Sequence, residues 1–431
     1  MGLTVADLEG QTVAMAVSGG LDSCTVTKWL TEHDVNVVCL TADLGQPDEK
    51  NILNVKRRML ACGAKEAIIV DAKKQLVFAG LYAALAQLKY EGGYWNTTGI
   101  GRFVTVTALL EELAEREIEI FCHGATGRGN DQVRFQLVSN MLMPEIKVYA
   151  PWRDKAFLDA FGGRKQMIKY CQERKLPIKV TIEKPYSTDA NMLGLTHEAG
   201  KLEFLTTPAD FVEPEMGVSA EMAPDKPEIV TIEFMEGCPQ SIKVKGQHKK
   251  SGDLVSIFQL ANMVAGRNGI GILLHTVENR FVGIKSRGVY EAPGMELFGK
   301  CYEFLLQTIL DRRATKLFSH LSALLAEQIY QGYWYDTASQ MMRAAINKIA
   351  QFLTGTIIVK LYKGNLIFQS AENIPHSLYS ESISSMEKIG SFNHQDSEGF
   401  LGVLGVGAKA LNAADQIDPE EFLDPEEFLL D

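Results

Sequence analysis

The sequence predicts an α/β protein, with a Rossmann-like parallel-sheet domain first and an α+β region after it. Three observations carry this expectation. Short apolar segments alternate with helical stretches through the first third of the chain. These segments read as apolar runs, as strands covered on both faces do. A glycine pair breaks the chain directly after the first of them, where a helical pattern begins.

The elements follow in order. Residues 12–17 (TVAMAV) make the first strand, Ser18-Gly19-Gly20 ends it, and a helix is expected over about 22–33. A second strand at 35–40 leads to a helix over about 48–62, with Gly63 as its C-terminal stop. A third strand lies at 67–70, long helical stretches at about 75–90 and 101–116, and a fourth strand at 118–123. Ligands of such sheets bind beyond the carboxyl ends of the strands, so loops 18–23, 42–47 and 124–131 are where chemistry is expected. Residues 177–185 read as a connector, and 213–227, with three prolines, as an irregular crossing. A strand at 228–234, helices at about 253–265, 296–331 and 338–353, and a hairpin at 356–369 turning at Lys363-Gly364-Asn365 complete the α+β region.

Composition narrows the class. The 431 residues are 46% hydrophobic and 23% charged, which excludes long disorder and fibrous architectures and suits two or three domains. No run of about 18 apolar residues is present, and the first ten residues lack a secretory pattern, so neither membrane nor secretion is expected. The net charge is −11, but eight acidic groups fall in residues 415–431, leaving the body nearly balanced. A basic nucleic-acid footprint is therefore not expected. The acidic tail repeats Asp-Pro-Glu-Glu-Phe-Leu from Asp418 and again from Asp424, and reads either as a solvated arm or as a docking peptide. Seven scattered cysteines without a CxxC pair indicate reduced thiols in a cytoplasmic protein.

The stretch Ser18-Gly19-Gly20-Leu21-Asp22-Ser23 carries the chemistry. Two glycines let backbone approach a phosphate, and N–H groups at a helix start attract anions. Asp22 fits beside phosphates only with Mg²⁺ between them, because a bare carboxylate repels. The loop lacks the lysine of GxxxxGK[ST], and neither it nor Gly124-Ala125-Thr126-Gly127 has dinucleotide spacing. It resembles the pyrophosphate loop of ATP pyrophosphatase-type enzymes, which share an adenine nucleotide alpha hydrolase-like fold and cut ATP between the α and β phosphates. A tRNA thiolation enzyme with this loop is the alternative, and Cys62 or Cys122 would then be an active thiol. A non-catalytic ATP-binding protein is a third reading.

Longer motifs discriminate. Residues 41–48 (TADLGQPD), 123–135 (HGATGRGNDQVRF), 150–153 (APWR), 186–198 (YSTDANMLGLTHE) and 277–293 (VENRFVGIKSRGVYEAP) resemble the argininosuccinate synthase family, over about residues 10–380 and in the same order. The resemblance implies ligation of L-citrulline and L-aspartate through citrullyl-AMP, with ATP as substrate and Mg²⁺ accompanying it. It implies a nucleotide-binding domain over 1–176, a catalytic and multimerisation domain over 177–376, an arm with the acidic tail over 377–431, and a homotetramer. By position, Ala16, Val17, Ser18, Gly19, Gly20, Leu21, Asp22, Ser23, Cys24, Ala42, Gly124, Thr126 and Asp189 match ATP-binding residues. Thr126, Asn130 and Asp131 match aspartate-binding residues. Tyr94, Asn130, Arg134, Ser187, Thr196, Glu198, Glu278 and Tyr290 match citrulline-binding residues. Ser18, Asp22, Asn130 and Asp131 are the expected catalytic set, with no resident metal site in the protein. Their chemistry is apt: carboxylates can pair an α-ammonium, an arginine fork a carboxylate, and neutral hydroxyls and amides a ureido group. The pattern departs at Gly99, where some relatives have a citrulline-contacting serine; the neighbouring Thr98 is the substitute. His123 and His197 are expected to be structural, and Lys285-Ser286-Arg287 to lie on a surface or interface.

Overall fold

The computed structural model describes residues 2–127, 129–178, 186–247, 249–385, 387 and 393–417. The chain divides into two compact units, Met1–His376 and Ser377–Asp431.

In the first unit, β1 (Thr12–Ala16), β2 (Asn36–Asp43), β3 (Glu66–Asp71), β4 (Ile120–His123) and β5 (Lys147–Tyr149) form a sheet in the order β3-β2-β1-β4-β5. Every pairing is parallel, as expected. Helices α1 (Leu21–Thr31), α2 (Leu53–Ala61), α3 (Lys73–Leu85), α4 (Thr97–Glu115), α5 (Asp131–Leu142), α6 (Lys155–Ala160) and α7 (Arg164–Glu173) accompany it. Successive strand residues point to opposite faces. Val13, Met15, Val37 and Cys39 pack with Trp29, Met59 and Cys171 on one side. Ala14, Val38 and Leu40 pack with Leu76, Val104 and Val138 on the other. Two covered faces explain why the middle of each of these strands reads as a continuous apolar run, Val13–Ala16 and Val37–Leu40. The chain runs outward from β1 to β3, then returns to β4 on the opposite side of β1. That reversal opens a crevice at the carboxyl ends of β1 and β4.

The second region carries two antiparallel sheets. β6 (Ser187–Asn191), β7 (Gly194–Glu198), β11 (Leu274–Asn279) and β12 (Lys285–Glu291) are ordered β11-β12-β7-β6. β8 (Glu228–Met235), β9 (Cys238–Val244), β10 (Lys249–Ser251), β13 (Gly355–Tyr362) and β14 (Asn365–Glu372) are ordered β10-β9-β8-β13-β14. Helices α8 (Leu254–Arg267), α9 (Pro293–Ile309), α10 (Arg312–Gln331) and α11 (Thr337–Ala350) pack around them. The expected hairpin forms, with Lys363 and Gly364 both at positive φ in its two-residue turn.

Some boundaries differ. The helix expected from about 48 starts at Leu53, and that expected from about 101 starts at Thr97. The single helix expected over 296–331 is two. Leu310 is extended, and Asp311 then caps α10 by accepting a hydrogen bond from the Ala314 N–H. The crossing at 213–227 holds one short 3₁₀ turn, Ala220–Met222. Most of the connector at 177–185, and both acidic hexapeptides, lie outside the described residues.

The second unit contains α12 (Glu381–Ser384) and α13 (His394–Ala413). Phe400, Leu401, Val403, Leu404 and Val406 are exposed along α13. Among the described residues no helix is long and apolar enough to cross a membrane.

Candidate active site

The glycine turn is built by conformation. Gly19 sits at φ +77°, a region that side chains disfavour. Gly20 is the extended N-cap of α1 and has no side-chain cap, so the first N–H groups of that helix are open to an anion. Ser23 Oγ accepts from the Ser18 N–H at 3.1 Å, which leaves its own O–H to donate. Ala16 ends β1, and Val17 follows it with its N–H bonded to the Leu40 carbonyl. Cys24 contributes less than its position suggests: its N–H bonds the Gly20 carbonyl and its thiol lies in the core. Asp22 faces Gly124 across the crevice and accepts from Trp152 Nε1 at 3.2 Å; burial raises its carboxyl pKa.

Beyond Asp22 lies a polar cavity of about 270 Å³. It brings together Tyr94, Gly124, Thr126, Asn130, Asp131, Arg134, Asp189, Thr196, Glu198, Glu278 and Tyr290, from loops and helices of the first sheet and strands of the second region. Ser187 does not reach it; this residue is exposed at the start of β6, opposite Glu198. Ala42 is buried near the end of β2, its carbonyl accepting from Gln46.

One end of the cavity is saturated with charge pairs. Arg102, on α4, donates to Asp131 at 2.9 Å and Asp189 at 2.7 Å. Arg134 donates to Asp131 at 2.9 Å, and its Nε and Nη2 both reach the Tyr330 carbonyl. Burial alone would raise the Asp131 pKa, but Arg102 and Arg134 outweigh it and hold the carboxyl below the usual range. The Arg134 fork, matched to a citrulline-binding position, thus keeps two of its five N–H bonds uncommitted. Asn130 Oδ1 accepts from the Phe281 N–H at 3.1 Å, which fixes the amide plane and leaves its N–H groups as donors toward a ligand.

The other end is under-satisfied. Glu278 accepts from Ser286 Oγ at 3.1 Å through one oxygen, while its other oxygen is buried without a well-formed hydrogen bond among the described residues. Burial raises its pKa, against Ser286 and Arg134. Glu198 is also raised by burial, opposed by Arg280 at 2.9 Å. Tyrosines wall this end in stacked pairs, Tyr94 on Tyr290 and Tyr90 on Tyr330. Thr98 lines the cavity and bonds Thr196 and Asp189, and Gly99 packs beneath it against the Ile329 carbonyl.

These observations are matched by comparison. The Arginosuccinate synthase N-terminal HUP domain model covers residues 12–177, and the Arginosuccinate synthase C-terminal domain model covers 186–411. The argininosuccinate synthase of Rhodopirellula baltica is 40% identical over 95% of this chain and 99% of its own. Those of a Thermotoga species and Xenopus laevis are 38% and 34% identical, over 91% and 92% of this chain and 95% and 96% of theirs. The chain belongs to the argininosuccinate synthase family. Among solved structures, a U34-tRNA thiolase from Methanococcus maripaludis has a TM-score of 0.27 at 14% identity, covering 41% of this chain and 61% of that one; so slight a likeness carries no argument.

Within this member of the family, cavity residues that sequence reasoning left without a role are Arg280, Tyr330 and, beside the wall, Arg102. Arg102 had a signal: it is the one charge between Glu91 and Glu111, in an otherwise apolar helix, and such a cation needs carboxylate partners. Tyr330 had none. The histidines are placed as structural groups. His197 bonds Glu291 at 2.7 Å with both side chains fully buried, and Glu291 also accepts from the Glu215 and Met216 N–H groups. His123 stacks on Phe135, and burial pulls its pKa down to about 3, so it is neutral. Arg287 is occupied by His275 and the carbonyls of Leu202 and Phe204. Cys39, Cys62 and Cys122 are buried, with pKa values raised, to about 12 for Cys39; no reactive thiol is formed there.

Proposed function

We propose that this chain joins L-citrulline to L-aspartate at the expense of ATP. The observation that carries the reading is the cavity at the mouth of the glycine turn, with carboxylates lacking full partners at one end and N–H donors at the other. In the first step the citrulline ureido oxygen attacks the α-phosphorus. The bond to the α–β bridging oxygen breaks and pyrophosphate leaves. In the second, the aspartate amine attacks the ureido carbon, a C–N bond forms, AMP departs and the amine loses a proton.

The protein's part is placement and charge. The N–H groups of 19–23 and the Ser18 and Ser23 hydroxyls hold phosphates; Ala42, Gly124 and Asp189 complete the nucleotide side. Thr126, Asn130 and Asp131 orient aspartate, Asp131 through its ammonium. Tyr94, Asn130, Arg134, Thr196, Glu198, Glu278 and Tyr290 orient citrulline, with Glu278 and Glu198 as acceptors for its ammonium. Asp22, a half-buried carboxylate beside this phosphate position, fits a Mg²⁺ ion carried by the nucleotide. The ion would neutralise the charge of the departing pyrophosphate. The enzyme is read as a cytoplasmic homotetramer, divided at about residues 176 and 376.

Combining the protein with ATP, Mg²⁺, citrulline and radiolabelled aspartate should yield labelled argininosuccinate with AMP and pyrophosphate. Omitting citrulline should abolish the product. ADP and phosphate as products, or label unchanged with citrulline present, would remove the assignment.

A further inference from the structure

A triphosphate carries more negative charge than the turn at 18–23 answers by itself, because that turn offers N–H groups and hydroxyls but no cation. One cation reaches it from elsewhere. Arg58, on α2, is 9% exposed. Its guanidinium lies directly against Gly19: a Cβ built on that glycine would sit 2.7 Å from Nη2 and 3.1 Å from Nε. Glu49 anchors Nη2 at 2.7 Å. The Nε–H is buried and makes no hydrogen bond among the described residues. An arginine that served only to tie Glu49 to α2 would not need its second edge turned to the turn, with a donor left unmade there. Glycine at 19 answers the same geometry, since any side chain would displace the guanidinium.

We propose that Arg58 is a phosphate-binding residue of this reaction: its guanidinium bonds the terminal phosphate oxygens of ATP and holds pyrophosphate as it forms. Glu49 fixes the fork so that a planar pair of N–H bonds meets the anion. The arginine occupies the functional place of the absent loop lysine while coming from a different helix. The proposal rests on the reading of the turn as an ATP site, and not on the identity of the amino acids joined.

The test compares two anions by titration calorimetry on the full chain with Mg²⁺: inorganic pyrophosphate, which occupies the proposed contact, and AMP, which lacks it. Losing charge-assisted hydrogen bonds in Arg58→Ala should weaken pyrophosphate about 10- to 100-fold and leave AMP within about twofold. Arg58→Lys should recover part of the loss, because the charge remains and the fork does not. Crystals of the unsubstituted chain soaked with pyrophosphate should show the guanidinium bonded to it, which reads the contact even if Arg58→Ala does not fold. Unchanged pyrophosphate affinity in Arg58→Ala, equal weakening of AMP and pyrophosphate, or a soaked crystal with pyrophosphate on the turn and Arg58 remote from it would each overturn the proposal. Failure of the unsubstituted chain to bind pyrophosphate at all would instead remove the ATP-site reading on which it stands.

Discussion

The two walls of the cavity solve the same problem, a charged guest, by opposite means. The glycine turn is a wall of backbone: Gly19 at positive φ, Gly20 as an open helix start, and a serine that bonds its own loop. The facing wall is made of side chains contributed by α4, α5, β6, β7, β11 and β12, whose charges pair with one another around Asp131 and stay short of partners at Glu278. A backbone wall is specified by a few adjacent residues and fails through space and dihedral angle. A side-chain wall is specified by distant residues and fails through unbalanced charge.

That contrast can be broken experimentally. The largest effect is expected at Asp131, which neutralises two arginines. Asp131→Asn should cost about 3 kcal/mol in denaturant unfolding, as losing one partner of a largely buried pair does, together with most activity. A stability change near zero would mean that Arg102 and Arg134 are not held as described. Next comes Gly19→Ala, whose methyl meets Arg58 at a disfavoured φ. It should lose about 1–2 kcal/mol and at least ~100-fold in kcat for AMP formation. Gly20→Ala is the control: its Cβ would meet only Ser18 Oγ at 3.5 Å, and its φ is negative, so equal damage in both variants would show that the turn is not set by backbone geometry.

Glu278→Gln should be milder and of opposite sign for stability. Citrulline KM should rise about 10-fold, since a charged acceptor is lost. The fold should be slightly more stable at neutral pH: a carboxyl whose folded pKa is raised destabilises as pH climbs past the ordinary carboxylate range, and an amide does not. Unfolding at pH 4 and pH 7 for both proteins measures it. The smallest effect concerns His123, buried in neutral form. Its folded pKa of about 3 lies below the ordinary 6.5, so the unfolded chain binds the extra proton between those values and stability falls as pH falls through that window. His123→Gln should flatten the acid limb by about one proton, a slope that stability curves resolve.

The same contrast explains what could be read in advance. The sheet was legible because both its faces are covered, which leaves the central runs of β1, β2 and β4 apolar. The glycine turn was legible because it is contiguous. The pocket was legible only through resemblance: nothing local to Glu278-Asn279-Arg280 or Asn130-Asp131 distinguishes a site from a solvated turn, since their meaning lies in partners some 150 residues apart, as between Phe281 and Asn130. The break at Leu310-Asp311 was missed because apolar periodicity runs through both α9 and α10, and only the capping aspartate marks the new start. Ser187 marks where the cavity stops: it shares its face of β6 with Asp189, which lines the cavity, but stands two residues further out and exposed.

The bond from Phe281 to Asn130 has a directional outcome. With one lone pair of its oxygen taken and both amide hydrogens open, Asn130 offers donors in excess and so favours oxygen-bearing groups over cationic ones. Glu278 and Glu198 do the reverse. A molecule bearing unlike termini consequently enters in a single sense, and the chamber sorts guests by heading before it sorts them by identity.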